Sequence, residues 1–122
     1  MRTGPAVALD AVLVLVFVLI GRRTHENPLD LGGIAATFWP FAAGLAMGWL
    51  VSLARRWPPA AVTTGITVWL ATVVAGMLLR AVSGQGTAVS FVVVATLVLG
   101  AFLVGWRVLG TRRHTPGSRD PR

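Results

Sequence analysis

Residues 32–57, GGIAATFWPFAAGLAMGWLVSLARRW, form the stretch that decides the fold of this chain. The 24 residues between Asp30 and Arg55 carry no formal charge, and a helix of that length crosses the roughly 30 Å hydrocarbon core of a bilayer. The stretch therefore predicts a membrane-spanning helix. Small residues or proline recur at every fourth position, which predicts a groove that a neighbouring helix can enter closely. These positions are Gly32, Ala36, Pro40, Gly44, Gly48 and Ser52.

The composition of the whole chain also indicates a membrane protein. Of the 122 residues, 55% are hydrophobic and only 12% are charged, which leaves too little polar surface for a soluble domain of this size. Cysteine is absent, so disulfides and thiolate metal sites are excluded. The net charge of +7 comes from arginines that flank apolar runs instead of forming one basic face, so nucleic acid is not expected as a partner.

Hydrophobic runs bounded by arginine predict an all-α, polytopic integral membrane protein with four transmembrane helices in two tandem helical hairpins. The helices are expected at about residues 6–21, 33–54, 60–79 and 87–108, within one transmembrane domain of residues 1–110. Residues 111–122 have almost no apolar content and are expected to form a disordered basic tail. A cleaved signal peptide is the weaker interpretation of the first run, because no pair of small residues suited to cleavage follows it.

Four spans place both chain ends on one side of the membrane, and the arginines indicate which side it is. Three arginines lie on the opposite side (Arg22, Arg23 and Arg80), against eight on the side of the termini. Because cytoplasmic segments carry the excess of basic residues, both termini are expected in the cytoplasm. The arginine-rich ends are expected to bind anionic lipid headgroups of the bilayer.

Sliding the chain against itself by 57 residues aligns similar features at the ends of the helices. The Gly-Trp pair at residues 48–49 meets the same pair at residues 105–106, and two consecutive arginines follow each of them. Arg23 likewise meets Arg80. Two interpretations stay open. One is a duplicated helical hairpin with a pseudo-twofold axis along the membrane normal. The other is Trp and Arg placed independently as interface anchors.

Several residues are candidates for close helix packing. Pro40 removes a backbone donor near the middle of the second helix and is expected to kink it, as a packing feature or as a gating hinge. The groove on that helix is expected to receive a face of the third helix. That face carries Gly65, Trp69, Thr72, Gly76 and Arg80. The packing candidates are Pro40, Gly44, Gly48, Gly76 and Gly105.

Asp10 is the only acidic residue inside a predicted span. An ionisable group in that position needs a partner or must lose its charge. Arg107 and Arg55 lie at the same end of the predicted bundle, and Arg107, beside Trp106, is the first candidate for an intramembrane ion pair with Asp10. The pair is interpreted as a tether that fixes the order of the helices or as part of a proton or ion relay.

A second group of charged residues lies at the opposite, outer end of the predicted bundle. It consists of Arg22, Arg23, His25, Glu26 and Arg80. These residues are expected either to form a cationic pocket for a phosphate, carboxylate or lipid headgroup or to anchor the helices at the interface as snorkelling side chains. No metal-ligand spacing and no catalytic motif is recognised, so no metal, cofactor or catalytic residue is expected.

The motifs taken together resemble one known family. They are Asp10, GRRTHE at residues 21–26, FWPF at 38–41 with Gly44 and the Gly-Trp pair at 48–49, GMLLR at 76–80, SF at 90–91 and GWR at 105–107. In combination they resemble the bacterial and archaeal membrane family called domain of unknown function 3054, over about residues 6–110. The resemblance implies a small four-helix protein of the prokaryotic inner membrane, with no substrate assigned.

Three functions are compatible with the sequence. The first is a small transporter or channel-like module, oligomeric because four short helices enclose little space, with Asp10 and the outer cluster lining a path. The second is a non-catalytic partner that docks another membrane protein through the small-residue face of its second helix. A membrane enzyme acting on lipid headgroups is the weakest of the three, because no nucleophile and base are paired.

Overall fold

The computed structural model describes residues 2–23 and 26–113, and every regular element in those ranges is an α-helix. The helices are α1 (Thr3–Arg22), α2 (Leu31–Ala54), α3 (Val62–Val82), α4 (Val89–Leu103) and α5 (Gly105–Arg113). Only Val104 separates α4 from α5, so the two form one span, Val89–Thr111. In the described ranges four helices are long and apolar enough to cross a membrane, which confirms the predicted all-α architecture.

Several helix boundaries differ by two or more residues from those predicted, including those at the two ends of the chain. α1 begins at Thr3 instead of near residue 6, because Pro5 falls in its first turn, where a missing N–H costs no helical hydrogen bond. α5 continues to Arg113, so residues 111–113 are helical although the sequence predicts a disordered tail there. The remainder of that predicted tail lies outside the described residues.

α2 and α3 form the most extensive helix pair, and two glycines of α2 set their separation. A Cβ atom on Gly44 would lie 2.8 Å from the carbonyl oxygen of Ala71, and one on Gly48 would lie 2.8 Å from the Cα atom of Val68. The two backbones therefore approach more closely than any larger residue permits. The groove predicted on the second helix is present, and α3 fills it.

The face predicted on the third helix is divided between two neighbours. Thr72 and Gly76 contact α2, the latter making room for the ring of Phe41. Gly65 and Trp69 instead contact the fourth span. The contacts with the fourth span lie nearer the start of α3 and the contacts of Thr72 and Gly76 with α2 lie further along it, so one predicted face serves two partners.

Gly105 was predicted as a packing glycine, and this prediction is wrong. Nothing lies within 4 Å of the position that its Cβ atom would take. The close contact on this span is at Gly100, where a Cβ atom would lie 2.9 Å from the ring of Trp69. Five residues along a helix correspond to a rotation of about 140°, so Gly105 faces away from α3 and toward an open apolar groove that Leu9 also lines.

Large apolar side chains cover the outside of the bundle. Leu50 is 67% exposed, Leu78 is 63% exposed and Leu97 is 67% exposed, each on a different helix. In water an apolar surface of this extent is unfavourable, whereas in a bilayer it lies against lipid tails. The exposed surface and the four span-length helices together describe a multi-pass membrane protein.

Candidate functional site

Asp10 and Arg107 form an ion pair in the interior of the bundle. Both side chains have no exposed surface. The guanidinium meets the carboxylate through two parallel hydrogen bonds, from Nη1 to Oδ1 at 3.1 Å and from Nη2 to Oδ2 at 2.8 Å. This forked geometry is the strongest arrangement available to an arginine and a carboxylate. The structure therefore joins the two residues that the sequence proposes as partners, while Arg55 lies exposed beside the ring of Trp57.

Two tryptophan side chains complete the surroundings of Asp10. The indole N–H of Trp49 donates to Oδ2 at 3.0 Å, and that of Trp106 donates to Oδ1 at 2.9 Å. Each carboxylate oxygen therefore accepts two hydrogen bonds, which fills the roughly four lone-pair positions of the group. Asp10 therefore has no acceptor position left for a further ligand.

Arg107 connects the same pair to further parts of the chain. Its Nε atom donates to the carbonyl of Pro59 at 2.9 Å, and Nη1 donates to the carbonyl of Leu103 at 2.8 Å. The guanidinium also lies 4.4 Å from the ring centre of Trp106. Gly65 leaves the space for this side chain, because a Cβ atom there would lie 2.6 Å from its Cδ atom.

The ion pair with its two indoles thus ties α1, α2, α5 and the α2–α3 connection together. No buried side-chain polar atom of the described residues lacks a hydrogen-bond partner. Charged groups in a low-dielectric interior persist only when they are paired and fully hydrogen-bonded. The arrangement has the properties of a structural tether between helices.

A cavity of about 610 Å³ lies at the opposite end of the bundle, near the α1–α2 and α3–α4 connections. Each of the four spans contributes to its wall. The polar part is formed by Arg22, Thr37, Arg80, Ser83 and Gln85, and the apolar part by Phe17, Val18, Trp39 and Phe91. This cavity is the candidate binding site of the molecule.

Arg22 is held in place by the start of α2 and the connection before it. Its Nε and Nη2 atoms donate to the carbonyls of Pro28 and Asn27 at 3.3 and 3.2 Å, and Nη1 donates to the hydroxyl of Thr37 at 3.3 Å. A Cβ atom on Gly33 would overlap the guanidinium, so a larger residue there would require Arg22 to shift. The side chain is 9% exposed, which places its charge almost entirely inside the protein.

Arg80 reaches the same cavity from the end of α3. Its Nε atom donates to the carbonyl of Gly86 at 2.9 Å, and Nη1 donates to Oε1 of Gln85 at 3.0 Å. The guanidinium lies 4.5 Å from the ring centre of Phe91, within the range of a cation–π contact. Three contacts therefore fix the direction of this charge.

Gln85 links Arg80 to the proline of α2. Pro40 has no N–H, so the carbonyl of Ala36, four residues before it, has no helical donor. The Nε2 atom of Gln85 donates to this carbonyl at 2.9 Å. The side chain of Gln85 thus supplies the donor that the carbonyl of Ala36 lacks, and it also orients Arg80.

Three phenylalanine rings lie at the inner end of the cavity. The ring centres of Phe17 and Phe41 are 5.3 Å apart, and each lies 6.1 Å from that of Phe91. We call Phe17, Phe41 and Phe91 the aromatic floor. Phe17 is about two turns of α1 from Asp10, so the floor lies between the cavity and the buried ion pair, and Asp10 does not line the cavity.

The structure separates the members of the predicted outer cluster. Arg22 and Arg80 line one cavity, whereas Arg23 and Glu26 are exposed and do not line it. Glu26 lies instead beside Asp30 in a neighbouring pocket, and His25 lies outside the described residues. Of the two interpretations, a pocket therefore applies to Arg22 and Arg80 and interfacial exposure to Arg23, because consecutive residues at a helix end point about 100° apart.

Arg22 and Arg80 in the cavity differ from Arg107 in the buried ion pair, because they have no carboxylate partner among the described residues. In the part of the chain that the structure describes, the one salt bridge joins Arg107 to Asp10. Arg22 and Arg80 therefore have hydrogen-bond acceptors but no carboxylate. Within the same ranges no three His, Cys, Asp or Glu side chains are grouped as a metal site would require. The cavity is suited to an anion.

The sequence prediction missed several contributors. The sequence does not predict Gly33, Thr37 and Gln85 as site residues, and it predicts Trp49 and Trp106 as parts of a repeat or as interface anchors, not as donors to Asp10. A signal for the indoles exists, because an N–H group within a span needs an acceptor and Asp10 is the only acidic side chain there. No local signal marks Gln85, whose partner is 49 residues away.

Comparison with known proteins places the chain in a family. No curated protein and no solved structure has significant similarity to it. The sequence profile of one family, described as "Protein of unknown function", matches residues 7–110, which is most of the chain. The chain therefore belongs to the DUF3054 family.

Proposed function

We propose that this protein is a small transporter-like module of the prokaryotic inner membrane that binds an anionic ligand between Arg22 and Arg80. One observation carries the proposal. Two guanidinium groups without a carboxylate partner among the described residues line a single cavity of about 610 Å³. The excess of arginine near the chain ends supports cytoplasmic termini, so the cavity opens to the outer side.

The charges of the cavity favour an anion over a neutral ligand. Arg22 is almost completely buried, and the wall beside Arg80 is partly aromatic. A charge removed from water is unfavourable unless a partner of opposite sign replaces the lost hydration. A bound anion supplies that partner for both guanidiniums, and their planar donors suit its oxygen atoms.

One feature near the cavity supports movement of the ligand across the membrane. Pro40 interrupts the hydrogen-bond ladder of α2 about one turn from Thr37, which lines the cavity. Helices interrupted by proline or glycine at mid-membrane are a recurrent feature of transporter binding sites. The aromatic floor closes the inner end of the cavity, so passage requires its rings to move.

The alternative function is docking of a partner protein on the small-residue face of the second helix, and this face is not free. α3 covers that face within the same chain, with its backbone against Gly44 and Gly48. A partner helix would have to displace α3 from the most extensive helix pair of the bundle. We propose binding without catalysis, and the assembly of several copies remains a prediction.

Equilibrium binding to the purified protein in neutral detergent tests the proposal. The probes are inorganic phosphate and decyl phosphate, and the variants are Arg22→Gln and Arg80→Gln. Each variant is expected to lose at least about tenfold in affinity, because a charge-assisted hydrogen bond is removed. Arg55→Gln removes the same charge at the other end of the bundle and is the matched control.

The outcomes separate clearly. Binding of either probe by the wild type, with loss in both cavity variants and retention in Arg55→Gln, supports the proposal. Absence of binding for both probes, or equal affinity in all four proteins, overturns it.

A further inference from the structure

We infer that the anion is a phosphate group attached to an apolar chain, as in a membrane phospholipid. The inference rests on the proposed function and names the ligand of the same cavity. Three independent properties of the cavity support it: the number of free donors, the composition of the wall, and the position of the opening.

The free donors of the two arginines match a tetrahedral oxyanion. An arginine has five N–H donors; Arg22 uses three of them and Arg80 uses two within the described residues. Donors therefore remain on both guanidiniums, and these are held on different helices. A phosphate group offers oxygen atoms in several directions, whereas the two oxygens of a carboxylate lie in one plane and suit a single fork.

The size of the cavity and its apolar wall require more than a phosphate group. A volume of about 610 Å³ corresponds to about twenty water molecules at roughly 30 Å³ each, so inorganic phosphate fills only a small part of it. The rings of Phe17, Trp39 and Phe91 line the cavity and offer few polar partners to a hydrated ion. An apolar chain attached to the phosphate covers these rings and gains from the contact.

The opening of the cavity lies where lipid headgroups meet hydrocarbon. Large apolar side chains next to lining residues are almost fully exposed at this end: Leu31 is 81% exposed, Val82 is 86% exposed and Val89 is 80% exposed. Arg22 and Arg80 each lie in the last turn of a helix that is long and apolar enough to cross a membrane. Arg22 and Arg80 are therefore at the depth at which a phospholipid carries its phosphate.

Binding of three probes in neutral detergent tests this inference. Decyl phosphate carries both parts of the ligand, inorganic phosphate carries only the anion, and decanoate carries a comparable chain on a carboxylate. We expect decyl phosphate to bind at least about tenfold more tightly than inorganic phosphate, since burial of a few methylene groups accounts for that factor. It should also bind more tightly than decanoate, since the oxygen atoms of a phosphate reach both guanidiniums. The double variant Arg22→Gln/Arg80→Gln measures the partition of decyl phosphate into the micelle alone.

A substitution in the apolar wall of the cavity measures how much the alkyl chain of decyl phosphate contributes to binding. Trp39→Ala is expected to weaken decyl phosphate binding and to leave the affinity for inorganic phosphate unchanged. Trp57→Ala, which removes an indole at the other end of the bundle, is the control for a general loss of stability. Lipid that remains bound after purification from native membranes is identified by mass analysis, and phosphate-bearing lipid is expected in the wild type but not in the double variant.

The results distinguish the two proposals. Equal affinity for inorganic phosphate and decyl phosphate overturns the lipid inference and leaves the anion site intact. Tighter binding of decanoate than of decyl phosphate overturns the choice of phosphate. Loss of all binding in the wild type removes the anion site and the inference with it.

Discussion

The indoles of Trp49 and Trp106 donate to different oxygens of the same carboxylate, that of Asp10. The two tryptophans are 57 residues apart, at corresponding positions of the Gly-Trp pairs that align when the chain is compared with itself. The matching Gly48 and Gly105 behave differently, because the first packs against α3 and the second has no neighbour within 4 Å of its Cβ position. The tryptophans therefore share a partner, while the flanking glycines do not share a role.

Replacing Asp10 by asparagine is expected to destabilise the protein strongly. The change leaves the buried charge of Arg107 without its counter-charge, which costs about 3–5 kcal/mol. Thermal unfolding in detergent measures the loss. Asp30→Asn is the matched control, since Asp30 caps α2 through Gly33 at 2.9 Å and asparagine caps equally well.

A second substitution checks the cause of that loss. Arg107→Gln in the Asp10→Asn background removes the unpaired charge and is expected to restore part of the stability. Equal unfolding midpoints for Asp10→Asn and Asp30→Asn would show that the ion pair does not tether the helices.

Two glycine-to-alanine substitutions are expected to have opposite effects. Gly44→Ala forces a methyl group against the backbone of Ala71 and should destabilise the protein by about 1–3 kcal/mol. Gly105→Ala meets nothing and should be neutral or stabilising by about 0.5–1 kcal/mol, because alanine favours the helix. Unfolding midpoints of the two variants compare them directly. A larger loss at Gly105 than at Gly44 would contradict the packing described.

Gln85→Leu is expected to destabilise the protein, because Gln85 replaces the hydrogen bond that Pro40 removes from α2. The substitution leaves the carbonyl of Ala36 without a donor, at a cost of about 1–3 kcal/mol. Pro40→Ala supplies the missing helical N–H, so Gln85→Leu should cost less in that background. A double-mutant cycle from unfolding data should show a coupling of at least about 0.5 kcal/mol. Additive effects would mean that Gln85 does not compensate for the proline.

Transport is tested in vesicles that contain the purified protein. Movement of fluorescent phosphatidylglycerol between the leaflets, followed by chemical quenching from outside, is expected to be faster than in protein-free vesicles. Arg80→Gln should return the rate to that of protein-free vesicles, and Arg55→Gln should match the wild type. A wild-type rate no higher than the protein-free rate would confine the proposed function to binding.

The architecture and the buried ion pair are predictable from the sequence for the same reason. A bilayer requires long uncharged helices, and it leaves few partners for a charge within a span. Asp10 lies at the end of the predicted bundle that also carries Arg107 and Arg55, so depth alone reduces its possible partners to two. The groove at Gly44 and Gly48 was predictable because close helix packing requires small residues at helical spacing.

The residues that line the outer cavity were not predictable in the same way. It depends on how each helix is rotated about its own axis, which admits Arg22 and excludes the adjacent Arg23. It also depends on a connection, since Gln85 reaches the carbonyl of Ala36 only after α3 and α4 have been placed. The depth and the spacing of residues in the sequence determine neither the rotation of each helix nor the place of this connection.

The central claim is that Arg22 and Arg80 hold one anion between them. Crystals of the protein soaked in selenate, a tetrahedral oxyanion with a strong anomalous signal, test it most directly. We expect an anomalous peak within hydrogen-bonding distance of both guanidinium groups, which is lost in Arg80→Gln. A peak confined to the exposed arginines at the other end of the bundle, or no peak in the cavity, would contradict it.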